Sequence, residues 1–226
     1  MFIEKPIFDG GDYRISGLNL NPAGIHYVAG PLRFSGVIRT LKEIAAEEAV
    51  YSARAICSSY LPDWRPETDY RKSYSARKDL GGGAALDLIH EWDYIVLLFG
   101  LPKRVYRIGG KYSHLEIDSD DTALYIADYG NMAVELHLDY YGRVPRREIE
   151  LFTKGGTITG DLINHTVSFS GSFSDAGTSL CFREKSDELY EKEMNYFLDH
   201  VLANDPLSNM EECRSILNLA LGKEFQ

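Results

Sequence analysis

Residues 122–141 read TALYIADYGNMAVELHLDYY. Apolar and polar side chains alternate on both sides of Gly130-Asn131, a dipeptide that supplies the backbone freedom a two-residue hairpin turn requires. In the second arm Met132, Val134, Leu136, Leu138 and Tyr140 point one way, and Ala133, Glu135, His137, Asp139 and Tyr141 the other. A period of two is the mark of a half-buried strand. The stretch therefore predicts an antiparallel hairpin over 122–129 and 132–141, with one face in a core and the other meeting water or a partner. His137, between two acids on the polar face, suits a solvated or interface histidine.

Outward from this hairpin, residues 50–59 and 102–112 also read as strands, the latter followed by a polar, acidic loop to 121. Residues 148–152 alternate again, Lys154-Gly155-Gly156 turns the chain, and 157–159 starts back. Weaker strands fall at 167–170 and 180–184. Helical spacing appears after Ser35, a side chain suited to an N-cap, with Val37, Leu41, Ile44 and Ala45 on one face. It returns from 187, with Tyr190, Met194, Phe197, Leu198 and Val201, until Pro206 stops it. Ser208 and Glu211 have the spacing of a capping box for a last helix through Ile216, Leu217 and Ala220. Strands and helices segregated in this way argue an α+β fold with a mostly antiparallel sheet. No repeat or linker divides residues 1–226, so a single domain is expected.

Composition narrows the class. The 226 residues are 44% hydrophobic and 26% charged, ordinary for a globular chain. Lysine and arginine number 24 against 34 acids, a net charge of -10. Such a balance is a poor match for nucleic acid or an anionic membrane. Cys57, Cys181 and Cys213 lie far apart with no CxxC spacing, as reduced thiols of a cytoplasmic protein would. The longest apolar run, 95–99, is far too short to span a bilayer, and the charged Glu4 and Lys5 do not suit a signal peptide.

The chemistry concentrates in residues 81–100, GGGAALDLIHEWDYIVLLFG. Three glycines free the backbone, and Leu88, Trp92, Ile95 and Phe99 then form one apolar helical stripe. Asp87, His90, Glu91 and Tyr94 share another face. A carboxylate one turn from an imidazole can orient it as an acid or base near neutral pH. The same spacing suits a core histidine bonded to Asp87 or a carbonyl, with Asp87 as a first-turn acid favoured by the helix dipole. The glycines lack the lysine-plus-hydroxyl pair of a P-loop. Asp87, His90 and Asp93 lack further ligands for a metal, so none is expected.

Residues 60–80, YLPDWRPETDYRKSYSARKDL, have no clear period but carry aromatics and Arg65, Arg71 and Arg77. A long irregular segment of this kind is either functional or a crossover packed by its own rings. Its rings and guanidiniums suit a polyhydroxylated or anionic ligand.

Glu4-Lys5-Pro6, then Leu32-Arg33-Phe34 opening a helix, then Gly81-Gly82-Gly83 with Asp87, His90 and Asp93, together resemble the glucose–fructose oxidoreductase, inositol dehydrogenase and rhizopine-catabolism (Gfo/Idh/MocA) family of NAD(P)-dependent dehydrogenases. Lys154-Gly155-Gly156-Thr157-Ile158 is similar to that family's late sheet. The resemblance covers nearly the whole chain but only the second half of a family member. It implies an open, mostly antiparallel sheet with helices on one face, like the C-terminal domain of glyceraldehyde-3-phosphate dehydrogenase. It also implies a small polyhydroxylated substrate (a sugar, amino sugar or cyclitol) and a homodimer or homotetramer formed through the open sheet face.

Carried over by position, the resemblance makes Lys5, whose bond to Pro6 is often cis in the family, a contact of both the reacting hydroxyl and the nicotinamide. It makes His90 the acid/base and Asp87 its orienting partner and a substrate contact. It places Tyr70, Arg77 and Tyr94 near substrate. Three departures stand out. Asp87 and His90 are three apart where the family has four. A Gly/Asn-rich loop over 8–21 replaces the helix that follows Glu-Lys-Pro. No G-x-G-x-x-G follows any strand. The family's N-terminal Rossmann domain is therefore expected to be absent, with residues 1–24 as the seam to it. NAD(P) then belongs to the full-length parent and binds this chain alone poorly, leaving it inactive by itself. The alternative is a non-enzymatic oligomerisation or sugar-binding module.

Overall fold

The computed structural model describes residues 1–10, 13–173 and 176–223. Within the loop expected over 8–21, residues 11–12 lie outside the described residues. The strands are β1 (Phe2–Ile3), β2 (Ile25–Val28), β3 (Val50–Tyr60), β4 (Arg104–Gly110), β5 (Thr122–Asp128), β6 (Ala133–Asp139), β7 (Tyr141–Thr153), β8 (Gly156–Asp161), β9 (Thr166–Gly171), β10 (Ser179–Cys181) and β11 (Leu207–Ser208). The α-helices are α1 (Gly36–Glu47), α2 (Ala84–Asp87), α3 (His90–Phe99), α4 (Ser186–Ala203) and α5 (Met210–Leu221).

Eight strands form one open sheet in the order β10-β9-β8-β7-β3-β6-β5-β4. Only the central β3–β6 pair is parallel; the other neighbours run antiparallel. The β5–β6 hairpin closes with Asp128 opposite Ala133. Gly130 takes φ +89°, and Tyr129 N–H donates to the Met132 carbonyl at 3.0 Å. The turn dipeptide thus does what its chemistry requires.

Alternation decides which side is covered. Val134, Leu136 and Leu138 of β6, Ala53 and Ala55 of β3, Ile149 and Leu151 of β7 and Ile158 of β8 are buried. α1 packs closely over β8 at Gly160. A Cβ on Gly160 would stand 2.7 Å from Leu41 Cδ1 and 2.9 Å from Val37 Cγ1, so only glycine admits the helix there. Ser35 caps α1 as expected, its Oγ accepting from Val37 N–H at 3.2 Å.

The uncovered side carries Arg54, Tyr106, Ile108, Ile126 and Glu135, all exposed. Arg54 stands opposite both Glu135 and Glu150 and bonds the latter at 2.8 Å. Asp139, expected on this polar face, is instead buried. It accepts the Tyr141 and Gly142 N–H groups at 2.9 and 2.8 Å and contacts His137 Nε2 at 2.9 Å. A strand-end carboxylate that collects donors in this way is held by the backbone's bonding needs rather than by the pleat.

A second, all-parallel sheet of three short strands, β1-β2-β11, joins the N-terminal β1 and β2 to β11 from the C-terminal part of the chain. The capping box expected from Ser208 and Glu211 does not form. Asn209 takes the N-cap position of α5, and its side chain turns to β2, accepting from Val28 N–H at 2.7 Å and donating to the Val28 carbonyl at 2.8 Å. Tying down the end of β2 wins over capping a helix. No helix among the described residues is long and apolar enough to cross a membrane.

Candidate active site

β1 ends two residues before Lys5, and the Lys5–Pro6 bond is cis. Lys5 is thereby delivered to the start of α3, where its Nζ pairs with Asp93 Oδ1. Asp93 is 1% exposed. It also takes two bonds from Arg33, Nε to Oδ2 and Nη2 to Oδ1, each 2.8 Å. Burial alone would raise the Asp93 carboxyl, but Lys5 and Arg33 outweigh it and hold the pKa at about 2. Arg33 continues to Glu212 of α5 at 2.5 Å. A Cβ on Gly30 would lie 2.7 Å from Asp93 Oδ2, so the absence of a side chain there makes room for the carboxylate.

α2 and α3 are not one helix. α2 is a single turn, and the chain tightens before α3, with Ile89 N–H bonding the Leu86 carbonyl and Glu91 N–H the Leu88 carbonyl. The consequence falls on the expected acid–imidazole pair. Asp87 Oδ2 accepts from Tyr140 OH at 2.7 Å rather than bonding His90. The Tyr74 hydroxyl lies close enough that burial and this carboxylate push its pKa up to about 12. Asp87 does not orient the imidazole, which is a correction to the spacing argument.

His90 stands at the head of α3, partly exposed. Its Nδ1 is buried without a hydrogen-bond partner, and the residue lines a cavity shared with Lys5. Burial, then the positive charges of Arg147 and Lys5, lower its pKa from 6.5 to about 3, against the opposing pull of Asp93. His90 is therefore neutral at physiological pH. Beneath it Glu91 of α3 holds Arg147 of β7 at 2.6 Å.

Lys5, Asp87 and His90 line one cavity of about 350 Å³, together with Pro6, Tyr74 and Gly81. An ammonium, a carboxylate and a neutral imidazole thus converge on a space of ligand-binding size. Three expected contacts are not brought there. Tyr94 is fully buried, its hydroxyl facing the core without a partner. Arg77 turns outward to Asp79 at 2.7 Å. Tyr70 accepts from Glu116 N–H at 3.2 Å, away from the Lys5–His90 cleft. The sequence reading missed Tyr74, because nothing in an aperiodic segment tells which of its rings folds back. It also gave Arg33 no role, although a lone arginine between Leu32 and Phe34 is an odd cation in an apolar turn.

Fold and cleft together give an open sheet covered on one face, with Lys5, Asp87 and His90 lining a cavity at the head of a covering helix. The GFO/IDH/MocA C-terminal domain matches residues 38–170, and the chain belongs to that family. No curated protein matches it by sequence. Among solved structures it is similar to levoglucosan dehydrogenase in complex with NADH, at TM-score 0.81 and 15% identity, covering 98% of this chain and 69% of that one. It is similar to UDP-N-acetylglucosamine 3-dehydrogenase GnnA from Acidithiobacillus ferrooxidans, at TM-score 0.68 and 18% identity, over 88% of this chain and 60% of that one. D-galactose-1-dehydrogenase from Rhizobium etli gives TM-score 0.69 and 15% identity, over 99% and 69%. The chain thus spans between 60% and 69% of the length of these structures.

Proposed function

We propose that this chain is the substrate half of an NAD(P)-dependent oxidoreductase that oxidises a hydroxyl of a sugar, amino sugar or cyclitol. In this reading residues 1–24 form the seam with a dinucleotide-binding domain carried elsewhere in the parent protein, and the chain alone is inactive. The observation that carries the proposal is the shared cleft of Lys5 and the neutral, unpartnered imidazole of His90. The solved structures of similar fold include sugar dehydrogenases, which is consistent with it.

A nicotinamide bound against this cleft would be contacted from this chain by Lys5 and would supply the hydride acceptor for the substrate carbon. The remaining work belongs to the protein. His90 Nε2 takes the hydroxyl proton. Lys5 has N–H donors beyond the one spent on Asp93, and these stabilise the charge growing on the substrate oxygen. Asp87, already bonded to Tyr140, accepts a neighbouring substrate hydroxyl and so orients the substrate. Asp93 and Arg33 keep the Lys5 ammonium in place, so that it need not reorganise during the reaction.

The test is a fusion of this chain behind the dinucleotide-binding half of a levoglucosan dehydrogenase, assayed for NAD+ reduction with a panel of sugars. Turnover should appear only in the fusion, and His90→Ala should lower it about 10²–10⁴-fold, the range for loss of a general base. A His90→Ala fusion as fast as its parent would remove the role.

A second reading, a non-enzymatic assembly module, is favoured by one observation: Tyr106, Ile108 and Ile126 are more than half exposed on the open sheet face. In the oxidoreductase reading the same face joins copies into a dimer or tetramer. Light scattering on the chain, paired with the fusion assay, separates the two. Oligomers without any turnover favour the module.

A further inference from the structure

α4 is covered along a narrow stripe, and an acid sits in the middle of it. Of the 18 residues in this helix only Leu189 and Glu193 are buried, and Glu193 is 1% exposed. A glutamate is rarely buried so completely unless a cation pairs with it. No cation pairs with Glu193 among the described residues. Two neutral donors bond it instead, the Tyr27 hydroxyl at 3.0 Å and the Gly30 N–H at 2.5 Å, both on Oε1. Burial raises its carboxyl above the ordinary value, against the pull of these two donors. An apolar side chain would fill the place without that cost. What the carboxylate adds is a grip on one backbone N–H and one hydroxyl.

The N–H it grips begins the turn behind the cleft. Gly30 is the N-cap of the 3-10 turn Pro31–Phe34, and its carbonyl accepts from Arg33 N–H at 3.0 Å. A Cβ on Gly30 would lie 2.7 Å from Asp93 Oδ2 and 3.2 Å from Arg33 Nε. The backbone held by Glu193 is therefore the backbone pressed against the Arg33–Asp93 pair. Arg33 bonds both oxygens of Asp93, and Asp93 holds the Lys5 ammonium. A displacement of Gly30 moves Arg33, and with it the carboxylate that fixes Lys5. The hydroxyl it grips reaches the same lysine from the other side. Tyr27 lies on β2 opposite Phe2 of β1, the strand that delivers Lys5.

We propose that Glu193 is a positioning residue for the cleft: by holding Gly30 N–H it sets the turn from which Arg33 fixes Asp93, and through Asp93 the Lys5 ammonium. Glu193 itself touches no substrate. The inference rests on the reading of Lys5 as the group that stabilises charge on the substrate oxygen.

The experiment measures by NMR how fast the Arg33 Nε–H of the chain exchanges with water, and pairs this with turnover of the fusion. Glu193→Met fills the space without an acceptor. It should speed Arg33 exchange at least about tenfold, the scale of one hydrogen bond to a charged group, while the amides of β6 exchange as in the parent. Glu193→Gln keeps a carbonyl oxygen for Gly30 and should restore most of the protection. Tyr27→Phe removes one hydroxyl from the same carboxylate and should speed the exchange roughly threefold, within the range of one neutral hydrogen bond. In the fusion, Glu193→Met should lower kcat about tenfold with KM unchanged, because Lys5 acts on charge that grows only in the transition state. Unchanged Arg33 exchange in a folded Glu193→Met chain would overturn the proposal. Where that variant does not fold, unchanged exchange in Tyr27→Phe overturns it equally, and so does a loss of turnover carried by KM alone. No turnover in any fusion, with Arg33 loosened as expected, would uphold the hold of Glu193 on the turn and overturn the oxidoreductase reading instead.

Discussion

Two three-residue charge clusters sit in opposite environments. Lys5, Asp93 and Arg33 form one beneath the cleft, with the Lys5 and Asp93 side chains 2% and 1% exposed. Asp69, Arg71 and Glu116 form the other on the crossover, where the Arg71 side chain is 52% exposed. In the first, Lys5 and Asp93 are out of water and Arg33 nearly so, so each charge depends on the others for its solvation and the geometry is fixed. In the second, water solvates each group with or without its partner, and the pairs add little. Only the buried cluster can hold a reactive side chain in one place.

Removing Asp93 should break that contrast most strongly. Asp93→Ala leaves Lys5 and Arg33 buried without their shared acid, and urea unfolding should show a loss of about 3–5 kcal/mol. A loss near zero would mean that water reaches the cluster and that Lys5 is not held.

The pH dependence sharpens the same point. His90 has a folded pKa of about 3, below its ordinary 6.5. Between those values the unfolded chain binds the proton and the folded chain does not. Its contribution to stability is therefore fully present above about pH 6.5 and is lost as the pH falls toward 3. Unfolding midpoints measured across this window should fall with pH, and less steeply in His90→Phe. An identical slope in the variant would place the lost protons elsewhere.

The smallest effect belongs to the crossover. Arg77→Ala removes an exposed pair with Asp79, and its unfolding midpoint should match that of the parent chain. A clear drop would show that the crossover is tied down more firmly than its exposure implies.

Much of the fold was legible because it rests on local periodicity. The β5–β6 hairpin, the alternation of β6 and the Ser35 cap follow from side chains within a few residues of one another. The site was legible in part. Lys5 and His90 were named from a resemblance, and they do share a cleft. Asp87 was assigned to His90 by helical spacing, and that assignment failed because the helix breaks between them and Tyr140, 53 positions away, offers a stronger donor. Arg71 and Arg77 carried a warning that was there to be read: each has an acid two positions away, Asp69 and Asp79, ready to neutralise it on the surface.

From its sequence alone, this protein was bound to be an α+β domain with an antiparallel hairpin, a capped helix and a histidine following a glycine run. Short-range sterics, turn chemistry and the burial of one face settle those features without long-range information. Tertiary structure alone decided that Asp93 rather than Asp87 organises the cationic side of the cleft, that Tyr94 faces the core, and that Glu193 turns inward to Gly30. Each outcome depends on which distant group desolvates or solvates a charge, and that becomes fixed only when the chain has closed around it.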